Sequence, residues 1–289
     1  MAEGACLGLA VVLAGVLLQV ALGPVVWERL AWPANVVALV VFVVAAMIVH
    51  VLKGRAYPLR FLTTTGAAVP ALAYAIVLTI VMGLTRQRAD GHWLSQMLTF
   101  WPFVLTYSYI ALLLALLTLK RLTHLSDWRR DVPFLLNHTG LLVAMVAGTL
   151  GSGDMRRLRM RVFTEIPERL AVMDDQRIAK LPMSIELQRF IMETYDDGSP
   201  RRYASEIIVR KDGEQPLFLT TDVNHPAKAY GWKIYQYGYD TRLVTSERQM
   251  SILELVFDPW LPAVYTGIYM MLAGAVFLLF GLQTKGKER

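Results

Sequence analysis

Six long apolar stretches recur along the chain, and each has the length of a helix that crosses a membrane. A spanning helix needs about 20 mostly apolar residues, and none of these stretches contains Asp, Glu, Lys or Arg. The predicted spans are Cys6–Leu22, Ala34–Val51, Gly66–Leu84, Leu98–Leu119, Pro133–Leu150 and Pro262–Leu282. The first stretch is also compatible with a signal peptide, but its leader has no basic residue and no small-x-small cleavage site follows. This favours a retained helix.

The polar segment between the fifth and sixth spans has a different pattern. Short runs rich in β-branched and aromatic residues are separated by hairpin signals at Asp196–Gly198 and Lys211–Gly213. The predicted strands are Ser184–Tyr195, Tyr203–Arg210, Pro216–Val223, Trp232–Tyr239 and Ser251–Phe257. We therefore predict a polytopic α-helical membrane protein with an inserted, mainly antiparallel β domain. Its parts are residues 1–152 with five helices, the β domain 153–259, and residues 260–289 with the sixth helix and a basic tail.

Charge assigns the orientation of this architecture. The chain has 289 residues, of which 55% are hydrophobic and 18% charged, with a formal charge of +6. Residues 153–259 hold 16 basic and 17 acidic residues, so the excess of cations lies in the membrane part. Ten of these cations fall on one predicted side: Lys53, Arg55, Arg60, Lys120, Arg121, Arg129, Arg130, Lys285, Lys287 and Arg289. The positive-inside rule places both termini in the cytoplasm and the β domain outside it, which favours membrane lipid over nucleic acid as a partner.

Several kinds of chemistry are excluded by the residues present. The single cysteine, Cys6, excludes a disulfide framework, a CxxC redox centre and a CxxCH haem attachment site within the chain. The sequence contains no Walker loop, GxGxxG, HExxH or GxSxG motif. No acidic residue lies inside a predicted helix, which argues against a proton-coupled transporter. We therefore predict no catalytic residue.

Two histidines in or beside predicted helices are candidate ligands. His138 lies about five residues into the fifth predicted helix, and a neutral imidazole is a common axial ligand of haem iron. Gly140 would leave room beside it for a flat macrocycle, whereas a structural hydrogen bond is the alternative role. His50 ends the second helix near the same boundary and either completes a bis-histidine site or faces headgroups. The other histidines are predicted in loops or turns: His92, His124 and His225.

Two further clusters have open interpretations. On a strand, Tyr235, Tyr237 and Tyr239 would share one face and Trp232 the other, a pattern more typical of sheet core than of a cofactor surface. Four arginines follow the fifth helix and would either bind headgroups or propionates, or line a solvated strand edge: Arg156, Arg157, Arg159 and Arg161.

The second half of the chain resembles the ResB (CcsB) family of cytochrome c biogenesis proteins. The resemblance rests on LPMSIELQRFIMETYDDGSPRRYASEIIV, on TTDVNHPAKAYGWKIYQYGYD and on FDPWLPAVYTGIYMMLAGAVFLLF. Family-type positions are occupied by Asn224, Pro226, Gly231, Tyr235, Gln236, Asp258, Pro259, Tyr265 and Gly267, and the family's H-x-G helix by His138 and Gly140. The chain departs from the pattern in having five helices, instead of three, before a short outer domain.

The resemblance implies a haem-handling subunit of system II in the bacterial cytoplasmic membrane. Such a subunit is non-catalytic: it binds haem b with His138, or with His50, and presents it for thioether attachment to the CxxCH of apocytochrome c. Its implied partner is a ResC/CcsA-like WWD protein, because no WWD segment occurs here. Two alternatives stay open: a haem-free scaffold that docks apocytochrome through the β domain, or a membrane anchor of a respiratory complex with His92 near a quinone.

Overall fold

The structure is a computed structural model that describes residues 1–88, 91–174, 176–240 and 249–281. The chain divides into two compact units, Met1–Gly153 with Trp260–Arg289 and Asp154–Pro259. The first unit is helical and the second is a β-sheet. The predicted tail cations Lys285, Lys287 and Arg289 lie outside the described residues.

Among the described residues of the first unit, six helices are long and apolar enough to cross a membrane, which confirms the six predicted spans. A short additional helix, α3, lies between the second and third of them. The helices are α1 (Ala2–Leu22), α2 (Ala34–Leu52), α3 (Tyr57–Phe61), α4 (Thr65–Leu84), α5 (Trp101–Leu122), α6 (Trp128–Gly151) and α7 (Leu261–Gly281).

Helix α6 begins earlier than the apolar pattern indicates. Asp127 caps it, with the carboxylate accepting a hydrogen bond from the Arg129 backbone N–H at 3.1 Å, so the helix starts at Trp128 rather than Pro133. His138 is therefore about ten residues into the helix, or about 15 Å along its axis. The prediction of five residues was wrong because the capping signal precedes the apolar stretch.

Helix α5 is the centre of the bundle. It contacts α1, α2, α4 and α6. Half of the residues in its most apolar stretch are buried, against 17% or less in the other spans. Polar side chains join the helices: the Gln19 side-chain oxygen accepts from the Trp101 backbone N–H at 3.1 Å, and the Asn35 amide donates to the Leu150 carbonyl at 3.3 Å. Such buried groups require partners because no water is available in lipid.

Helices α6 and α7 pack backbone to backbone. A Cβ built on Gly140 would lie 2.6 Å from the Gly267 carbonyl oxygen, and one on Gly267 would overlap the Gly140 carbonyl oxygen and approach the Ala144 backbone. Small residues allow this close approach, which supports helix association in membranes through van der Waals contact. The prediction that Gly140 leaves room for a macrocycle is wrong, because α7 occupies that space.

The described residues of the second unit form one antiparallel sheet of eight strands in the order β5-β4-β3-β2-β1-β8-β7-β6. This confirms the predicted antiparallel β domain and adds three strands to it, β1, β2 and β6. The strands are β1 (Arg156–Phe163), β2 (Glu168–Met173), β3 (Ile178–Thr194), β4 (Pro200–Lys211), β5 (Leu217–Asp222), β6 (Ala227–Ala229), β7 (Trp232–Tyr239) and β8 (Met250–Phe257).

The sheet rolls until its two ends meet. Strand β5 contacts β6 and β7, and the Thr221 hydroxyl donates to the Ile234 carbonyl at 2.7 Å. The interior is filled by apolar side chains such as Met183, Ile185 and Leu253, all fully buried. The roll therefore encloses a packed core.

A buried polar network crosses this core. The Ser205 hydroxyl donates to the Gln236 side-chain oxygen at 2.6 Å, and the Gln236 amide donates to the Ser251 hydroxyl at 2.9 Å and the Gly238 carbonyl at 2.8 Å. The three side chains come from β4, β7 and β8 and are at most 5% exposed. Because these three side chains hydrogen-bond one another inside the core, they fix the register at which the rolled sheet closes.

Two sequence interpretations of the sheet require correction. The arginines of β1 do not line an edge, because β1 pairs with β2 on one side and β8 on the other. The tyrosines of β7 do not share one core face: Trp232 and Gln236 point inward and Tyr237 is 49% exposed, whereas Tyr239 packs against the core. A bulge between Gln236 and Gly238 then shifts the alternation, so that Tyr239 stacks on Phe190 at 4.9 Å.

We expect Gly140→Ala to destabilise the helical unit by roughly 1–3 kcal/mol, because the added methyl group overlaps the α7 backbone. Thermal unfolding of the purified full chain in detergent measures the effect. Gly148→Ala is the matched control on the same helix, since a Cβ there meets nothing within 4 Å. Equal unfolding temperatures for the two variants would contradict the tight α6–α7 packing.

We expect Gln236→Leu to destabilise the sheet by roughly 1–3 kcal/mol, because the Ser205 and Ser251 hydroxyls lose a partner inside the core. Circular dichroism of the β signal during heating checks this. Gln188→Leu makes the same change at an exposed position of β3. A loss of stability in the control equal to that of Gln236→Leu would argue against the network.

Candidate functional site

His138 is half-buried and is fixed by contacts within its own helix. Its ring stacks on Phe134 with the ring centroids 4.0 Å apart and the planes at 19°. Its Nδ1 lies 2.8 Å from the Phe134 carbonyl oxygen. Both contacts follow from the spacing of four residues, which brings two side chains of a helix onto one face.

The contact with Phe134 determines the tautomer of His138. A carbonyl oxygen only accepts hydrogen bonds, so Nδ1 carries the proton and donates it. Nε2 then holds a free lone pair, and it has no hydrogen-bond partner among the residues that the structure describes. Metal-binding histidines are commonly prepared in this way, with one ring nitrogen donating to a backbone carbonyl while the other faces the metal.

A second pair of side chains holds Phe134 and the start of α6 in place. The Asp131 carboxylate is 2% exposed, pairs with the Arg121 guanidinium, and accepts from the Ser126 and Asp127 backbone N–H groups at 2.7 and 2.9 Å. The Arg121 guanidinium carbon is 5.3 Å from the centre of the Phe134 ring. Sequence reasoning missed this support, although Arg121 and Asp131 flank the short loop between α5 and α6.

His50 has a different environment at the end of α2. Its two ring nitrogens lie 3.2 and 3.3 Å from the Lys53 Nζ, and Nε2 is also 3.5 Å from the Thr123 hydroxyl. Both nitrogens therefore have polar neighbours. In the described parts of the chain, no hydrogen bond or ring contact joins His50 to His138, and the bis-histidine site stays a prediction.

The remaining histidines lie at the surface. The ring of His92 contacts the Ser95 hydroxyl at 3.3 Å and borders a shallow pocket of about 420 Å³. The ring of His124 contacts the Thr123 hydroxyl at 3.0 Å. His225 is in the turn after β5, where its carbonyl accepts from the Asp222 N–H at 3.1 Å. Within the described residues, no group of three or more His, Cys, Asp or Glu side chains is placed to hold a metal ion.

The arginines of β1 are partly neutralised on the outer face of the sheet. Arg157 and Arg159 lie 3.7 and 3.8 Å from the Glu254 carboxylate, and the Arg159 guanidinium stacks over Tyr237 at 4.4 Å. Elsewhere on the sheet, hydrogen bonds from Arg169 lower the pKa of the Asp212 carboxyl. All four arginines of β1 are exposed, and Arg157 and Arg159 are the two that lie near the Glu254 carboxylate.

The region that holds His138 and most of the sheet has recognisable relatives. Residues 129–247 match the ResB-like family. This part of the chain is similar to that family. A protein named cytochrome c biogenesis protein CcsB, from Synechococcus sp. (strain RCC307), is 28% identical over 120 residues, which are 41% of this chain and 27% of that protein. The match therefore spans about a quarter of the relative, and it confirms the resemblance predicted from the sequence.

A solved structure named Cytochrome c Heme Lyase CcmF also aligns with the chain. The alignment covers 85% of this chain and 45% of that one, at 18% identity and a TM-score of 0.37. A TM-score this low does not establish a shared fold.

The residues that carry the ResB-like resemblance have structural roles in the sheet. Tyr230 and Gly231, with φ of 49° and 84°, form the two-residue turn that joins Ala229 to Trp232 across β6 and β7. Gln236 is the centre of the buried network. In the helical unit Gly267 packs against α6. Among the family-type positions, His138 is the one that presents a free nitrogen lone pair.

We expect Asp131→Asn to lower the stability of the helical unit by roughly 1–3 kcal/mol, because the buried carboxylate gives up its charge-assisted bonds to the partly exposed Arg121 and to the two backbone N–H groups. Thermal unfolding in detergent reports the change. Asp127→Asn is the matched control, since asparagine also caps a helix and the Arg130 partner is exposed. A control that unfolds as early as Asp131→Asn would show that the buried pair is not required.

Proposed function

We propose that this chain is a ResB-like, haem-handling membrane subunit of a cytochrome c haem lyase. The observation that carries the proposal is His138, a half-buried imidazole on an apolar helix that is held in the Nδ1-protonated tautomer with Nε2 free. That is the form of histidine which binds haem iron. Haem is the cargo, and it supplies the vinyl groups that form thioethers, whereas the residues of this chain bind and orient it.

The site needs a partner protein to be complete. Along a helix two residues correspond to a rotation of about 200°, so His138 faces nearly opposite to Gly140 and away from the α7 contact. The contacts of His50 with Lys53 and Thr123 make it the weaker candidate for a second ligand. We therefore propose that a ResC/CcsA-like WWD protein packs beside α6 and provides the other side of the haem site.

The orientation completes the proposal. The cations of the α2–α3 and α5–α6 connections belong on the cytoplasmic face of a bacterial inner membrane by the positive-inside rule, so the sheet unit lies outside the cytoplasm. The cargo would then be received near the cytoplasmic side. The packed interior of the rolled sheet favours binding of apocytochrome c on its outer surface, and the subunit itself makes or breaks no covalent bond.

The test is the haem spectrum of the full chain co-purified with its WWD partner. We expect His138→Ala to lower haem affinity by at least about 10–100-fold, the range that follows even from loss of an outer-shell partner of a metal ligand. Imidazole added to the variant should restore the six-coordinate ferrous spectrum. His225→Ala, which removes an exposed imidazole from the sheet unit, is the control and should bind haem normally.

Three outcomes would redirect the proposal. Unchanged six-coordinate haem in His138→Ala, with loss in His50→Ala, would transfer the ligand role to His50. A complex that has no Soret band even with the partner present would favour the haem-free scaffold. Co-purification with multihaem cytochromes, in place of a WWD protein, would favour a respiratory anchor with a quinone near His92.

A further inference from the structure

The ends of α2 and α5 bring four polar side chains into contact, and the charge of a fifth, Lys120, acts on one of them, Lys53. His50 and Lys53 come from α2, and Lys120, Thr123 and His124 come from the end of α5. We call these five residues the α2–α5 cationic cluster. The Lys53 Nζ contacts both His50 ring nitrogens at 3.2 and 3.3 Å, the His50 Nε2 is 3.5 Å from the Thr123 hydroxyl, and that hydroxyl is 3.0 Å from the His124 Nδ1.

The positive charge of this cluster is not compensated within the described part of the chain. Neither Lys53 nor Lys120 forms an ion pair with a carboxylate there, whereas the nearby Arg121 pairs with Asp131 and Arg130 with Asp127. Burial lowers the pKa of the Lys53 ammonium, and the charge of Lys120 lowers it further. Two like charges held near each other would be stabilised by an anion between them.

An apolar surface leads away from the cluster along α2. Val44, Met47, Ile48 and Val51 repeat at helical spacing, and each is at least 42% exposed. In a membrane this surface faces acyl chains, so a phosphate bound at the cluster would have its hydrocarbon chains directly beside it. A phospholipid would contact both the cationic cluster and the apolar surface of α2, whereas a free phosphate would contact only the cluster.

We propose that the α2–α5 cationic cluster binds the phosphate group of an anionic phospholipid, with an acyl chain lying along the exposed face of α2. The lysines provide charge and hydrogen-bond donors, and the ring N–H groups of His50 and His124 provide further donors. This site is separate from His138, and it does not require that the protein handles haem. A bound lipid would fix the relative position of α2 and α5 at the membrane surface.

Native mass spectrometry of the full chain in detergent tests the proposal with phosphatidylglycerol and phosphatidylcholine of identical acyl chains. Each lysine near an anionic lipid contributes a factor of about five in affinity, so we expect a preference of about 25-fold for phosphatidylglycerol. Lys53→Gln with Lys120→Gln should abolish this preference. Lys120→Gln alone changes one exposed side chain and should reduce it about fivefold without changing the unfolding temperature.

The matched control is Arg86→Gln with Arg88→Gln, which removes two exposed charges from the α4–α5 connection and should keep the full preference. Equal retention of the two lipids by the unmodified chain would overturn the proposal. So would a preference that survives in the double lysine variant or is lost in the arginine control. Displacement of phosphatidylglycerol by inorganic phosphate would assign the site to a free phosphate instead of a lipid.

Discussion

The backbone contact between α6 and α7 is the constraint on which the helical unit and its candidate site depend. Gly140 and Gly267 have no side chains, and this allows the two helices to approach until their carbonyl oxygens contact the opposite backbone. These helices precede and follow the sheet unit in sequence, and the strands next to them, β1 and β8, are hydrogen-bonded neighbours with Arg156 opposite Phe257. The chain thus leaves and re-enters the helical unit through two paired elements.

The same contact determines what His138 can do. Since α7 covers the Gly140 side of α6, the imidazole lies on the other side, where Phe134 and the Arg121–Asp131 pair support it. The hydrogen bond to the Phe134 carbonyl then selects the tautomer. Gly140 therefore does not make room for a ligand of His138. Its packing against α7 instead leaves the opposite face of α6, which holds His138, available to a partner protein.

The sequence predicted the helices and strands whose apolar residues form a clear pattern. It missed elements in which charged residues interrupt that pattern. All six spans were predicted because lipid requires long uncharged helices, and five strands were predicted from β-branched runs between turns. Strand β1 was missed although Leu158, Met160 and Val162 alternate with arginines, because the charge cluster was interpreted by itself. The β7 bulge could not be predicted, since its cause is the pairing with β8 and not the local sequence.

The candidate site follows the same rule: the sequence identifies the residue, and the structure shows its surroundings. A histidine within an apolar helix is unusual enough to be selected from the sequence, but its position along α6 depends on the cap at Asp127, and its tautomer depends on the contact with the Phe134 carbonyl. Most ResB-like positions have structural roles, such as the turn at Gly231 and the network at Gln236. The resemblance therefore reports mainly how the chain folds, and the chemical argument rests on the lone pair that this fold leaves free on His138.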